Sequence, residues 1–138
     1  MTPTLSVQNL RVEIPTRRGV LVAIDDLSFD IAPGEVLGVV GESGAGKSIT
    51  GQAIIGLLDP PARIAGGQIR LGYERVDNLP PSAMRRIRGK RIGMIFQDPL
   101  TSLNPLYRIG DQLTETILTH QQVSPKAASE KAERLLVE

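Results

Sequence analysis

The sequence predicts an α/β fold with an antiparallel β flank, and three observations carry that prediction. Alternating apolar residues open the chain, as they do in half-buried strands. A continuous apolar run, "VLGVV", then leads into a glycine-rich loop and an amphipathic stretch. A second apolar run, "RIGMIF", precedes two more helical patterns. Strand, loop, helix and strand in that order suit a parallel core, whereas the closely spaced strands before them suit a hairpin.

Taken in order, "LSVQNLRVEI" alternates apolar Leu5, Val7 and then Leu10, Val12 and Ile14, which reads as a half-buried strand. "RRG" at 17–19 is a turn, "VLVAIDDLSFDI" a second extended stretch, and "APGE" at 32–35 another turn. The run at 36–40 reads as a buried parallel strand. Ile49, Ala53, Ile54, Leu57 and Leu58 then recur at helical spacing over 47–58, and "DPP" stops that helix. "AGGQIRLGY" gives a turn and a short strand, and "PPSAMRRIRG" a basic helix opened by Pro81 and Ser82 and closed by Gly89. Residues 92–96 form the second expected parallel strand, followed by the loop "QDPLTSLNP". "IGDQLTETILTH" and "PKAASEKAERLLVE" are amphipathic helices. The last ends on Leu135, Leu136, Val137 and Glu138 without a glycine or asparagine cap, so its apolar residues call for a surface to cover.

Composition narrows the classes. A chain of 138 residues fits one domain, and its aromatic residues are Phe29, Phe96, Tyr73 and Tyr107, so the core must be aliphatic. A formal net charge of +1 provides no general attraction to nucleic acid or acidic lipid. The absence of cysteine excludes disulfides and thiolate metal sites. No stretch approaches the roughly 18 apolar residues that cross a bilayer, and "MTPTLSVQNLRVEI" is no signal peptide. A soluble or peripheral protein is expected, with no transmembrane segment of its own and no nucleic-acid partner.

The chemistry concentrates in "GVVGESGAGKSITG". Gly41, Gly46, Lys47 and Ser48 complete the pattern G-x-x-x-x-G-K-[ST], with Glu42, Ser43, Gly44 and Ala45 between them and Ile49 after. Glycines let the backbone wrap closely, so that successive N–H groups converge on phosphate oxygens. The helix beginning at Lys47 adds its positive end. Lys47 is expected to reach the β- and γ-phosphates, and Ser48 to offer its hydroxyl to Mg²⁺. Between a strand and a helix, as here, the motif reads as a nucleotide site rather than a plain glycine turn.

"GEVLGVVGESGAGKS" followed by "RGKRIGMIFQDPLTSLNP" resembles the ATP-binding subunits of ABC transporters, and most nearly those that drive oligopeptide and dipeptide importers, whose relatives carry nickel or glutathione. The similarity runs from about Leu5 to the end of the chain. It implies a P-loop NTPase fold of the ABC type, with the antiparallel flank at about 4–35, the P-loop core at about 36–97 and the start of a helical subdomain at about 98–138. It places Gln97 in the Q-loop, where a neutral side chain contacts Mg²⁺ or the attacking water and the loop meets the membrane subunit. It further implies ATP and Mg²⁺ as ligands, transmembrane permease subunits and a second ATP-binding subunit as partners, and a peripheral position on the cytoplasmic face of the membrane.

Two features depart from that family. It usually places an aromatic ring for the adenine just before the "AIDDLSF"-like strand, whereas Arg11 to Ile24 contains none, leaving Leu21 and Val22 as the nearest residues for the base. The signature segment, the Walker B strand, the catalytic glutamate and the switch histidine appear nowhere in 1–138. The resemblance is therefore to the N-terminal portion, and the expectation is a truncated piece that binds ATP without turning it over.

Two local stretches could substitute for the missing acid. Asp25 and Asp26 imitate a Walker B ending, but only a hairpin connection separates them from the 36–40 run, so a structural role is expected. Asp98, emerging beside Gln97, is the alternative Mg²⁺ ligand and would make this a small self-contained P-loop NTPase or kinase. "MRRIRGKR" reads as a solvated basic face, lacking the aromatic platform of a nucleic-acid site. His120 is expected to be exposed at the end of its helix.

Overall fold

A computed structural model describes residues 2–98 and 102–137; Pro99, Leu100 and Thr101 of the "QDPLTSLNP" loop lie outside the described residues, as do Met1 and Glu138. The chain divides into two units, Met1–Arg88 and Gly89–Glu138.

The first unit is built on strands β1 (Leu5–Thr16), β2 (Gly19–Ile31), β3 (Arg63–Leu71) and β4 (Glu74–Arg75). They form one four-stranded sheet in the order β2-β1-β3-β4, with every neighbouring pair antiparallel. Val7, Leu10 and Val12 of β1 and Ile69 of β3 are wholly buried, the aliphatic core that the composition requires. Val7 and Leu10 are three residues apart, so strict alternation cannot bury both. A bulge at Asn9 (φ 48°) resolves this, shifting the register from Val7↔Phe29 to Leu10↔Leu27. Asn9 donates from its side chain to Asp26 Oδ1 at 2.6 Å and from its N–H to Ser28 Oγ at 2.8 Å. On the other side of β1 the register shifts from Gln8↔Gln68 to Arg11↔Gly66. There Gly67 (φ 87°) lies so close to β1 that an added Cβ would stand 2.5 Å from the carbonyl oxygens of Gln8 and Asn9. Only glycine fits.

Helices α1 (Lys47–Ile55) and α2 (Pro81–Ile87) complete this unit, burying Ala53, Ile55, Met84 and Ile87. After β4, Asp77 turns its carboxylate inward, its side chain 5% exposed. It accepts the Ile69 N–H at 2.7 Å and receives Arg75 on both oxygens. Burial pushes the Asp77 carboxyl up, but those hydrogen bonds and the Arg75 charge outweigh it and hold it below the usual carboxylate value.

In the second unit, α3 (Ile109–His120) and α4 (Pro125–Leu135) pack through Ile117, Ala128 and Ala132, with Leu113 against them. Ala128 and Ala132 are four apart, one helical turn, and their small side chains let the partner helix approach. Ser124 caps α4 by accepting the Ala127 N–H at 3.2 Å, with Pro125 in the first turn. Leu135, Leu136 and Val137 remain exposed.

Four expectations need correction. The runs at 36–40 and 92–96 are not paired as parallel strands; among the described residues the sheet is antiparallel throughout. Val36, Val40 and Ile95 are 95%, 96% and 98% exposed. A strand exists through the hydrogen bonds of a neighbour; among the described residues the 36–40 run has none, and of the second run only Ile92 is bridged, its carbonyl accepting the Gly89 N–H at 2.9 Å. The helix expected over 47–58 ends at Ile55, because Gly56 turns left-handed (φ 68°). The Gly56 N–H then bonds to Ala53 O at 3.1 Å and the Leu57 N–H to Gln52 O at 2.8 Å, closing the last turn. β3 is longer than expected and runs through "AGG", the bulge keeping those residues in the sheet. His120 is half-buried rather than exposed, its ring against Gly89, where an added Cβ would lie 2.5 Å from Nε2. Among the described residues no helix is long and apolar enough to cross a membrane.

Candidate phosphate-binding site

The loop from Gly41 to Ser48 is shaped by its glycines. Gly44 (φ 85°) and Gly46 (φ 86°) both adopt the left-handed backbone that side chains disfavour. Gly46 is also buried against β2: a Cβ there would meet Ala23 O at 3.2 Å and Ile24 Cγ1 at 3.4 Å. The loop is thus seated on β2, the strand of the antiparallel hairpin, and not on the 36–40 run that precedes it. At Gly41 an added Cβ would press on the Ala45 side chain at 3.2 Å.

Lys47 folds back over this loop. Its ammonium donates to Gly41 O and to Glu42 O, the latter at 2.7 Å, and the Ala45 N–H closes a turn onto Glu42 O at 3.1 Å. An ammonium has three N–H donors, so one is left for a ligand. Thr50 bonds Gly46 O through both its N–H (2.8 Å) and its hydroxyl (2.9 Å), holding the first turn of α1. The amides of Gly44, Gly46, Lys47 and Ser48 have no acceptor among the described residues, as the first turn of a helix leaves its N–H groups unused. α1 has no acidic residue in that turn. Unused amides, a helix's positive end and an ammonium on an exposed loop form a donor set suited to a phosphate chain. Glu42, Ser43, Ala45 and Ser48 are exposed, and Ile49 is half-buried. The Ser48 hydroxyl accepts and donates no hydrogen bond among the described residues, so it can serve a hard cation. No cluster of three or more histidine or carboxylate side chains able to hold a metal occurs among the described residues.

Other residues singled out by the sequence fall elsewhere. Gln97 and Asp98 are exposed residues of the second unit, whereas the loop belongs to the first. Asp25 and Asp26 lie within β2, where Arg11 pairs with Asp25 and Asn9 with Asp26, so both acids serve the hairpin. Leu21 and Val22 are exposed residues of that strand, close in sequence to the Ala23 carbonyl under Gly46.

One residue was missed. Within the basic cluster, Arg85 and Arg86 are exposed, but Arg88 is half-buried and donates from Nε to Ile55 O at 2.7 Å and from Nη2 to Gly56 O. A signal existed: Met84, Ile87 and Arg88 stand at i, i+3 and i+4, which puts the arginine on the apolar face of its helix.

Comparison with known proteins gives the family. Residues 24–137 match the family described as ABC transporter. The chain is 46% identical over 137 residues to the dipeptide transport ATP-binding protein DppD of Bacillus subtilis, covering 99% of this chain and 41% of that protein. It is 46% identical over 132 residues to the oligopeptide transport ATP-binding protein OppD of Escherichia coli, covering 96% of this chain and 39% of that protein. The chain therefore spans about two-fifths of the length of these relatives. The fold is similar to that of the ATP-binding cassette MJ0796 in a dimeric post-hydrolysis state bound to ADP and Pi, with a TM-score of 0.82 at 20% identity over 96% of this chain and 55% of that one. The extent of the family match, with the phosphate loop inside it, decides against a self-contained small kinase: this chain belongs to the ABC transporter family.

Proposed function

We propose that this chain is the nucleotide-binding N-terminal portion of an ATP-binding subunit that energises import of peptides or a related solute. What supports the reading is the donor set at residues 41–49, taken with relatives named for dipeptide and oligopeptide transport. In this reading the amides of Gly44, Gly46, Lys47 and Ser48 hold the phosphate chain, and the remaining Lys47 donor binds the β- and γ-phosphates. Ser48 contributes its hydroxyl to Mg²⁺, and Gln97 contacts the ion or the water by a neutral side chain. Bound Mg²⁺ supplies charge that offsets the phosphate oxygens. Leu21 and Val22 offer an aliphatic surface for the base. The segments at about 4–35, 36–97 and 98–138 correspond to antiparallel flank, P-loop core and the start of the helical subdomain. Permease subunits and a second ATP-binding subunit are the partners, at the cytoplasmic face of the membrane. The 138 residues supply binding groups but no general base, so binding without turnover is expected of them alone.

Replacing Lys47 tests the reading. Lys47→Ala should abolish binding of a fluorescent Mg·ATP analogue while β-sheet circular dichroism is unchanged. Equal affinity in mutant and parent would sink the assignment of this loop to phosphate.

A further inference from the structure

We propose that Arg88 is a positioning residue for the phosphate site, acting through the carbonyl end of α1; the functional part of this rests on the reading just given. α1 has nine residues, a length at which an isolated helix is marginal in water, so its ends decide whether it holds. At its start the capping residue Gly46 contributes no side-chain bond, and the first-turn amides are the ones that the phosphates need. Its last turn holds no basic residue of its own. Gly56 and Leu57 satisfy Ala53 O and Gln52 O, which leaves the carbonyls of Ile54, Ile55 and Gly56. Arg88 takes the last two with one guanidinium, Nε on Ile55 O at 2.7 Å and Nη2 on Gly56 O.

Three features show that this contact is built into the fold. The α2 residues Met84 and Ile87 are buried, which brings Arg88 to the end of α1. Gly56 has no Cβ to obstruct it; one there would lie 3.1 Å from Arg88 Nη2 and 3.5 Å from Met84. The planar fork matches two adjacent carbonyls, a pairing that the point charge of a lysine cannot reproduce. A cation at the negative end of the macrodipole favours the helical state of the whole short segment, including the amides at its other end. Arg88 thus holds the phosphate cradle in register without touching the ligand.

The test compares parent, Arg88→Ala, Arg88→Lys and Lys47→Ala in the 138-residue chain by amide hydrogen exchange, with and without Mg·ATP. Without nucleotide, Arg88→Ala should speed exchange at the amides of Gly51–Leu57 about tenfold or more, with β1 amides unchanged as the control for folding. With nucleotide, affinity read from protection of residues 43–49 should fall about tenfold, and Arg88→Lys should recover part of it. Parent-like exchange in α1 of Arg88→Ala would overturn the clamp. Faster exchange there with parent-like affinity would overturn its role in positioning the site. If the alanine variant also loosens β1, the lysine variant decides: an intact β1 with unchanged α1 exchange and affinity counts against the proposal. If Mg·ATP protects residues 43–49 of Lys47→Ala as well as of the parent, the phosphate assignment fails instead, while the exchange of α1 without nucleotide still tests the clamp.

Discussion

Two sets of valines in this chain experience opposite environments. Val7 and Val12 in β1 are 1% and 0% exposed, whereas Val36 and Val40, in a run more continuously apolar, are 95% and 96% exposed. Hydrophobicity does not distinguish them; connection does. β1 and β2 are joined by a tight turn, so each supplies the other's hydrogen bonds within one short stretch. The run at 36–40 reads as a strand that needs a parallel neighbour, and such a neighbour must arrive by a crossover. Burial follows from pairing, and pairing from how far along the chain the partner lies.

This contrast predicts unequal mutational costs. Leu10→Ala, at a fully buried site under the sheet, should cost about 2–5 kcal/mol, whereas Val40→Ala should stay within about 0.5 kcal/mol. Urea melts of the two variants would check this, and comparable losses would show that the 36–40 run is paired in solution. Gly67→Ala comes next. Its left-handed backbone and the approach of the Gln8 and Asn9 carbonyls leave no room for a methyl group, so a loss of about 2 kcal/mol is expected in the same melts. A neutral result would mean that the β1–β3 bulge is not held in this register.

The smallest effect concerns acid. The folded Asp77 carboxyl lies below its ordinary value, so its contribution is complete above the unfolded pKa of about 3.9 and is lost as pH falls through the folded value. Asp77→Asn keeps an acceptor for the Ile69 N–H but gives up the charge on Arg75. Its stability should therefore be lower at neutral pH and fall less steeply below about pH 4 than that of the parent. Equal acid slopes would assign the sheet's acid sensitivity to other carboxylates, Glu13 among them, which Arg11 and Arg63 also hold down.

The sequence by itself determined the hairpin, α2, α3 and α4, since each rests on local rules: alternation, proline at a helix start, amphipathic spacing. It made the glycine loop at 41–48 legible as well, because the glycine spacing and Lys47 are contiguous and the left-handed turns at Gly44 and Gly46 are local. It also showed a skipped position between Val7 and Leu10, although not that a bulge at Asn9 would absorb it. What only the tertiary structure decided depends on partners distant in sequence. Arg88 reads as one of several surface cations until α2 brings it to Ile55 O and Gly56 O, 33 and 32 residues away. Gly46 rests on Ala23 and Ile24 of β2 rather than on the run next to it. Asp25 and Asp26 serve the hairpin because Arg11 and Asn9 stand across from them. Local propensity is written into neighbouring residues; which carbonyl a guanidinium finds, and whether an apolar run is buried, depends on what the rest of the fold places beside it.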